Sequence, residues 1–234
     1  MDLKPAVLHG FISREWNING KQGSCHFSYH IYMRPALLPE EHQEFIIKAL
    51  GDRIIDGKPA LGTTREVART SLQNDDYLLF IFVKTLNLPK GSKDEGTAIL
   101  QYNDWCSGSG LNQNQGQPQL WLFDLVRQTK SKKSVISPIQ ILFSVLEDFA
   151  RERGVPSMYL MVDQDDAKSH KALTTKVYPK YGYVLDPGCP GIEGLTVMRH
   201  DLNHFDGVVN SLVLYNPKKA KKAKRRQTRK RKPT

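Results

Sequence analysis

Apolar and polar positions begin to alternate at "HFSYHIYMR" (His26 to Arg34), rich in aromatic and branched residues, which predicts a strand ended by Pro35. "LPEEHQEFIIKALGD" (Leu38 to Asp52) switches to helical spacing through Phe45, Ile46, Ala49 and Leu50. Proline and two glutamates suit its positive end, and Gly51 suits its stop. "TTREVARTSLQ" (Thr63 to Gln73) predicts a short helix. "YLLFIFV" (Tyr77 to Val83) is a continuous apolar run, as a strand covered on both faces requires. "GTAILQYN" and "QLWLFDLVR" predict two more strands around the polar, glycine-rich "DWCSGSGLNQNQGQP", a loop long enough to be mobile or a lid. "SPIQILFSVLEDFARERG" (Ser137 to Gly154) is the clearest helix. Ser137 suits its cap, Pro138 its first position, and Ile141, Leu142, Val145, Leu146 and Phe149 form its stripe. "SMYLMV" predicts a strand, "DAKSHKALTTKVYPKYG" starts helical, "LTVMRHDL" predicts a final strong strand, and "GVVNSLVLYN" a further element. The first 25 residues show no clear period, and no internal repeat is visible.

Alternating strands and helices in the second half predict parallel pairing, and the middle three strands an antiparallel meander. The fold class is therefore α/β (α+β in its mixed sheet), with helices on both faces. The chain divides into an extension over 1–25, one domain over 26–216 and a tail over 217–234.

Charge sharpens that division. The formal net charge of the 234 residues is +10, but "KKAKKAKRRQTRKRKPT" (Lys218 to Thr234) holds eleven basic residues and no acid. The rest carries 23 basic against 24 acidic residues. Such a tail repels itself and is expected to be disordered alone. Lys218, Lys219, Lys221, Lys222, Lys224, Arg225, Arg226, Arg229, Lys230, Arg231 and Lys232 are candidate nucleic-acid contacts, or a nuclear-import signal. No apolar run is long enough to span a bilayer, and no secretory signal is visible. Cys25, Cys106 and Cys189 are odd in number and widely spaced, so free thiols and a reducing, intracellular compartment are expected. That compartment is the nucleus in a eukaryote or its viruses, and otherwise the cytoplasm or nucleoid. The histidines show no metal-ligand spacing: His200 and His204 lie four apart at a strand end, and "DQDD" (Asp163 to Asp166) is better explained by helix capping. No metal is expected.

From His26 to Leu202 the chain resembles the GNAT superfamily of N-acyltransferases. "YHIYMRPALLPEEHQEFIIKAL" resembles that family's first strand and helix, "LWLFDLVR" its fourth strand, and "ILFSVLEDFARERGVPSMYLMV" its third helix and fifth strand. "VYPKYGY" matches the closing signature Leu-Tyr-x-x-x-Gly-Phe through Tyr178 and Gly182, with Tyr183 for Phe, and "TVMRHDL" resembles the last strand. Five weak motifs in the right order must agree with one fold. The resemblance implies a GNAT-like sheet splayed in its middle and an acetyl-CoA-dependent N-acetyltransferase that works by direct transfer in a ternary complex. The fourth and fifth strands would part to admit the cofactor arm. Tyr178 would protonate the departing thiolate, and Asp124 would assist deprotonation of the amine. Leu125, Val126, Arg127, Lys132, Lys133, Ser134, Ser137 and Val162 would hold the cofactor.

Each role has a plainer counterpart. Tyr178, Tyr181 and Tyr183 are also what an aromatic plug closing a core looks like, and packing is preferred for the last two. A lone strand carboxylate such as Asp124 must face a cleft or be paired. The chain also departs from the family before the third helix. "KSKKSVIS" (Lys130 to Ser137) has no glycine where the family carries Arg/Gln-x-x-Gly-x-Gly/Ala, and Val135 and Ile136 are branched. Either lysines and serines replace the phosphate cradle, or the cradle has decayed. The decayed case leaves a GNAT-like protein that binds nucleic acid or other partners, or one that modifies bases with another acyl donor.

Overall fold

The computed structural model describes residues 3–55, 58–59, 64–103, 119–189 and 193–202. The glycine-rich loop with Cys106, the element over 207–216, His204 and the basic tail lie outside them. The stretch without a clear period is strand β1 (Ala6–Ile18), joined to β2 (Lys21–Met33) as a full-length antiparallel hairpin. Asn19 and Gly20 form its turn with φ of 52° and 75°, the left-handed pair a two-residue hairpin needs. Helix α1 (Glu40–Gly51) follows, then two-residue strands β3 (Ile54–Ile55) and β4 (Lys58–Pro59). In α1 the buried residues are Ile46, Ile47 and Leu50, while Phe45 is 38% exposed, so its stripe is rotated from the expected one. Helix α2 (Arg65–Gln73) starts where Thr64 accepts a hydrogen bond from the Val67 N–H.

Strands β5 (Leu79–Thr85), β6 (Lys93–Asn103) and β7 (Gln119–Lys130) form the expected meander. Helix α3 (Pro138–Glu152) crosses to β8 (Ser157–Asp163), which pairs parallel with β7. Helix α4 (Ala167–Ala172) runs into a π turn (Leu173–Val177) and a 3-10 turn (Tyr178–Tyr181), followed by β9 (Val184–Leu185) and β10 (Leu195–Asp201). The sheet order is β1-β2-β5-β6-β7-β8-β10-β9. One expectation is corrected: β8 and β10 pair antiparallel. After Gly182 the chain runs out along β9 and turns back at Gly194 (φ 81°) before entering β10, which reverses its direction.

Strand alternation divides the interior. Leu79, Ile81 and Val83 of β5 join Ile141, Leu142, Val145, Leu146 and Phe149 of α3 in the main core. Phe80, Tyr32 and Ile99 pack on the other face against Ile46, Leu50, Ala68 and Leu72 of α1 and α2. Cys25 is a buried free thiol, whereas Cys189 is disulfide-bonded, which corrects the expectation of free thiols there. A disulfide persists in oxidising surroundings, so the cysteines give no argument for a reducing compartment. Among the described residues no helix is long and apolar enough to cross a membrane.

Candidate active site

Strands β7 and β8 pair only from Leu120 to Leu122 against Met158 to Leu160, yet β7 continues to Lys130. The cause lies in β7 itself. Its register against β6 passes from Leu122↔Leu100 to Asp124↔Ile99, leaving Phe123 as an extra residue in a β-bulge, 56% exposed. A bulge bends its strand and moves every later side chain to the other face. Leu120 and Leu122 point into the α3 core, whereas Asp124, two residues on, meets the loop after α1.

There Asp124 Oδ2 accepts a 2.5 Å hydrogen bond from Arg53 Nη1, and Arg53 Nε donates to the Leu50 carbonyl at 2.8 Å. The Arg53 side chain is 2% exposed and that of Asp124 22%. Asp124 is therefore both paired and partly open to solvent. Buried Tyr77 stands beside them, its phenol pushed upward chiefly by burial, with a hydrogen bond to Ser71 opposing.

Tyr178 comes from the 3-10 turn that follows α4. Thr174 Oγ1 donates to the His170 carbonyl and Thr175 Oγ1 to the Lys171 carbonyl, as α4 widens into its π turn. Gly182 (φ 81°) then ends the 3-10 turn in the left-handed conformation. Tyr178 packs partly buried against the main core, its ring edge-on to Tyr183 at 6.1 Å. Burial raises its phenol above the ordinary range, and the Asp124 charge adds to the rise. The structure thus brings Tyr178 within electrostatic reach of Asp124. Tyr181 stacks on Phe143 at 4.1 Å, with burial pushing it up to about 12, and Tyr183 is fully buried, as packing residues are.

The segment before α3 has a different design from an open anion cradle. Asp94, fully buried, accepts both prongs of the Arg127 fork at 2.7 and 2.8 Å. Its Oδ2 also accepts from the Ser134 N–H at 2.6 Å and the Ser134 hydroxyl at 2.5 Å. Ser137 caps α3: its side chain accepts from the Ile139 N–H, and Gln140 Oε1 accepts from the Ser137 N–H. The Gln140 N–H bonds the Ser137 carbonyl, and Pro138 has no N–H to offer. Arg127, Ser134 and Ser137 are therefore spent within the fold. Lys132 and Lys133 remain exposed, and Ser131 supplies a left-handed residue (φ 65°) where glycine is missing. Ile136 is fully buried and Val135 packs on the same core, so neither stands over the opening.

Leu125 packs on the main core, Val126 is half-buried opposite Thr97, and Val162 is buried beyond the end of the β7–β8 ladder. Sequence reasoning missed Arg53, Tyr77 and Asp94. For Arg53 the one signal was that Asp124 needed a partner. Asp166 caps α4, and among the described residues no cluster of three or more His, Cys, Asp or Glu could hold a metal.

No protein-family model and no curated protein matches the chain. Solved structures do. A ribosomal-protein-alanine N-acetyltransferase from Escherichia coli matches with a TM-score of 0.42 at 15% identity, over 74% of this chain and 94% of that one. A GNAT-family acetyltransferase from Listeria monocytogenes gives 0.41 at 12%, over 80% and 99%. An arylalkylamine N-acetyltransferase from the yellow fever mosquito gives 0.41 at 13%, over 85% and 95%. Likeness this distant carries no argument about activity, which must stand on the opening and the residues around it. In fold, this chain is similar to the GNAT N-acetyltransferases: a mixed α/β chain with an eight-stranded sheet and four helices among the described residues.

Proposed function

We propose that this chain is an N-acetyltransferase that takes its acetyl group from acetyl-CoA and passes it to an amine bound at the same opening. The observation that carries this reading is the three-residue ladder between β7 and β8, with Asp124 just beyond its end on β7 and Tyr178 near enough to feel the Asp124 charge. Among the described residues the β7 edge beyond Leu122 has no strand partner on the β8 side, so its backbone around Leu125 and Val126 suits an extended amide-bearing arm. The phosphate end fits differently. Because the α3 N–H groups are capped and Asp94 holds Ser134, phosphates are left to the exposed side chains of Lys132 and Lys133.

Acetyl-CoA supplies an activated thioester. Asp124, fixed in direction by Arg53, takes the proton from the incoming ammonium directly or through one water. Tyr178 keeps its proton at neutral pH and gives it from Oη to the departing sulfur. Calorimetric titration of the full chain with acetyl-CoA tests this. Saturable heat that weakens about tenfold or more in a Lys132→Ala, Lys133→Ala variant is expected. Absence of saturation up to millimolar ligand rejects the reading.

The self-capped α3 terminus favours a second reading, in which transfer has been lost and the chain is a binding module. In either case the tail from Lys218 to Thr234 is the polyanion-seeking part, directing the chain to nucleic acid or an import receptor. Removing it should flatten the salt dependence of retention on nucleic acid. An unchanged salt slope assigns that retention elsewhere.

A further inference from the structure

The face of the sheet that α1 leaves uncovered carries an aromatic strip edged by lysines. Register aligns His9, His30, Phe82 and Thr97 in one row across β1, β2, β5 and β6, and Phe11, Ser28, Lys84 and Glu95 in the next. The rings are continuous. His9 stacks on His30 at 6.2 Å, His30 on Tyr32 at 6.1 Å and Tyr32 on Phe45 at 5.7 Å, while Phe45 stands edge-on to Phe82 at 5.4 Å. Phe11 is 75% exposed. A groove of about 330 Å³ runs between α1 and the sheet, lined by Phe45, Phe82, Lys48, Lys84, Lys93 and Gln128 among others.

Charge on this face favours one sign. Lys93 and Lys130 are opposite each other on neighbouring strands, two residues from Glu95 and Gln128, so they share the face. Its acids beside the groove are engaged, Glu95 with Lys93 at 2.7 Å and Asp52 with Arg65 at 2.5 Å, and Glu15 stands apart at the far end of β1. Lys48, Lys84 and Lys130 are left to meet a polyanion. The Thr97 hydroxyl and His30 Nδ1 are buried in the same row without hydrogen-bond partners, where polar groups are ordinarily satisfied.

We infer that this face binds single-stranded nucleic acid, with bases stacked on Phe11, His9 and Phe45 and phosphates along Lys48, Lys84 and Lys130. Four strands span about 14 Å, room for two or three bases. Exposed rings beside a basic groove suit splayed bases, which a paired duplex does not present. The inference deepens the nucleic-acid reading of the tail and is independent of acetyl transfer.

Fluorescence anisotropy of the full chain tests it, with a 12-nucleotide oligo(dT), an abasic strand of equal charge and a 12-base-pair duplex as probes. The expected result is tighter binding of oligo(dT) than of the abasic strand. Phe11→Ala and Phe45→Ala should each weaken oligo(dT) roughly tenfold and leave the abasic strand unchanged. Lys84→Glu should weaken both single strands. Equal affinity for oligo(dT) and the abasic strand overturns the inference, as does insensitivity to both phenylalanine variants. Competition by polyglutamate as strong as by oligo(dT) also overturns it. Full-length Lys224→Gln, Arg225→Gln, Arg226→Gln reports on the tail separately: it should lower the salt slope while the preference for bases over abasic sites persists.

Discussion

Asp124 gains its meaning from Arg53. A carboxylate inside an apolar strand is costly unless paired, and a guanidinium that is 2% exposed is equally dependent on its partner. Arg53→Met should therefore destabilise the chain by roughly 3 kcal/mol, at the low end for such pairs because Asp124 keeps some solvent. Asp124→Asn in the same background should recover much of that loss in a chemical denaturation series. Tyr178 makes a different claim. Its phenol lies above the ordinary range through burial and the Asp124 charge, so it remains an acid further into alkaline pH than a free phenol. Tyr178→Phe should lower kcat about a hundredfold, leave the affinity for acetyl-CoA intact and remove the alkaline limb of the rate profile. Unchanged turnover returns Tyr178 to packing, beside Tyr181 and Tyr183.

Among the elements, α3 was legible because cap, stripe and stop all agree: Ser137, the residues from Ile141 to Phe149, and Gly154 (φ 64°). Ser137→Ala should lower stability by about 1 kcal/mol, read as a fall in Tm. β1 was not legible, because its outward residues His9, Phe11, Ser13 and Glu15 mix aromatic with polar, and its inward ones are only half-buried. The signal that could have found it was Asn19–Gly20. The bulge at Phe123 was equally hidden, since an extra residue in "LWLFDLVR" leaves no trace in an apolar run, although it decides which face Asp124 meets. β10 carries a pH device. Burial lowers the His200 imidazole, and its Nδ1 holds the proton donated to the Gly182 carbonyl at 3.2 Å. As pH falls below the ordinary imidazole value of about 6.5, the unfolded chain takes a proton first, so stability declines between that value and the depressed folded one. His200→Gln should flatten that decline in melts between neutral and mildly acid pH.

At the scale of the molecule, three features stand apart: a near-neutral body, a tail of eleven positive charges, and a sheet whose β7 carries one extra residue where β7 and β8 part. The meander, the crossover through α3 and the parting of the strands followed from pattern and resemblance together. The closed state of the segment before α3 did not, because Asp94 reaches Ser134 from a strand about forty residues earlier, across the sheet rather than along the chain. Whether the opening receives acetyl-CoA is most directly read by amide hydrogen exchange along β7. The account predicts that acetyl-CoA slows exchange at Leu125 and Val126 while Leu79 to Val83 of β5 stays as it was. Exchange along β7 that is identical with and without millimolar acetyl-CoA contradicts it.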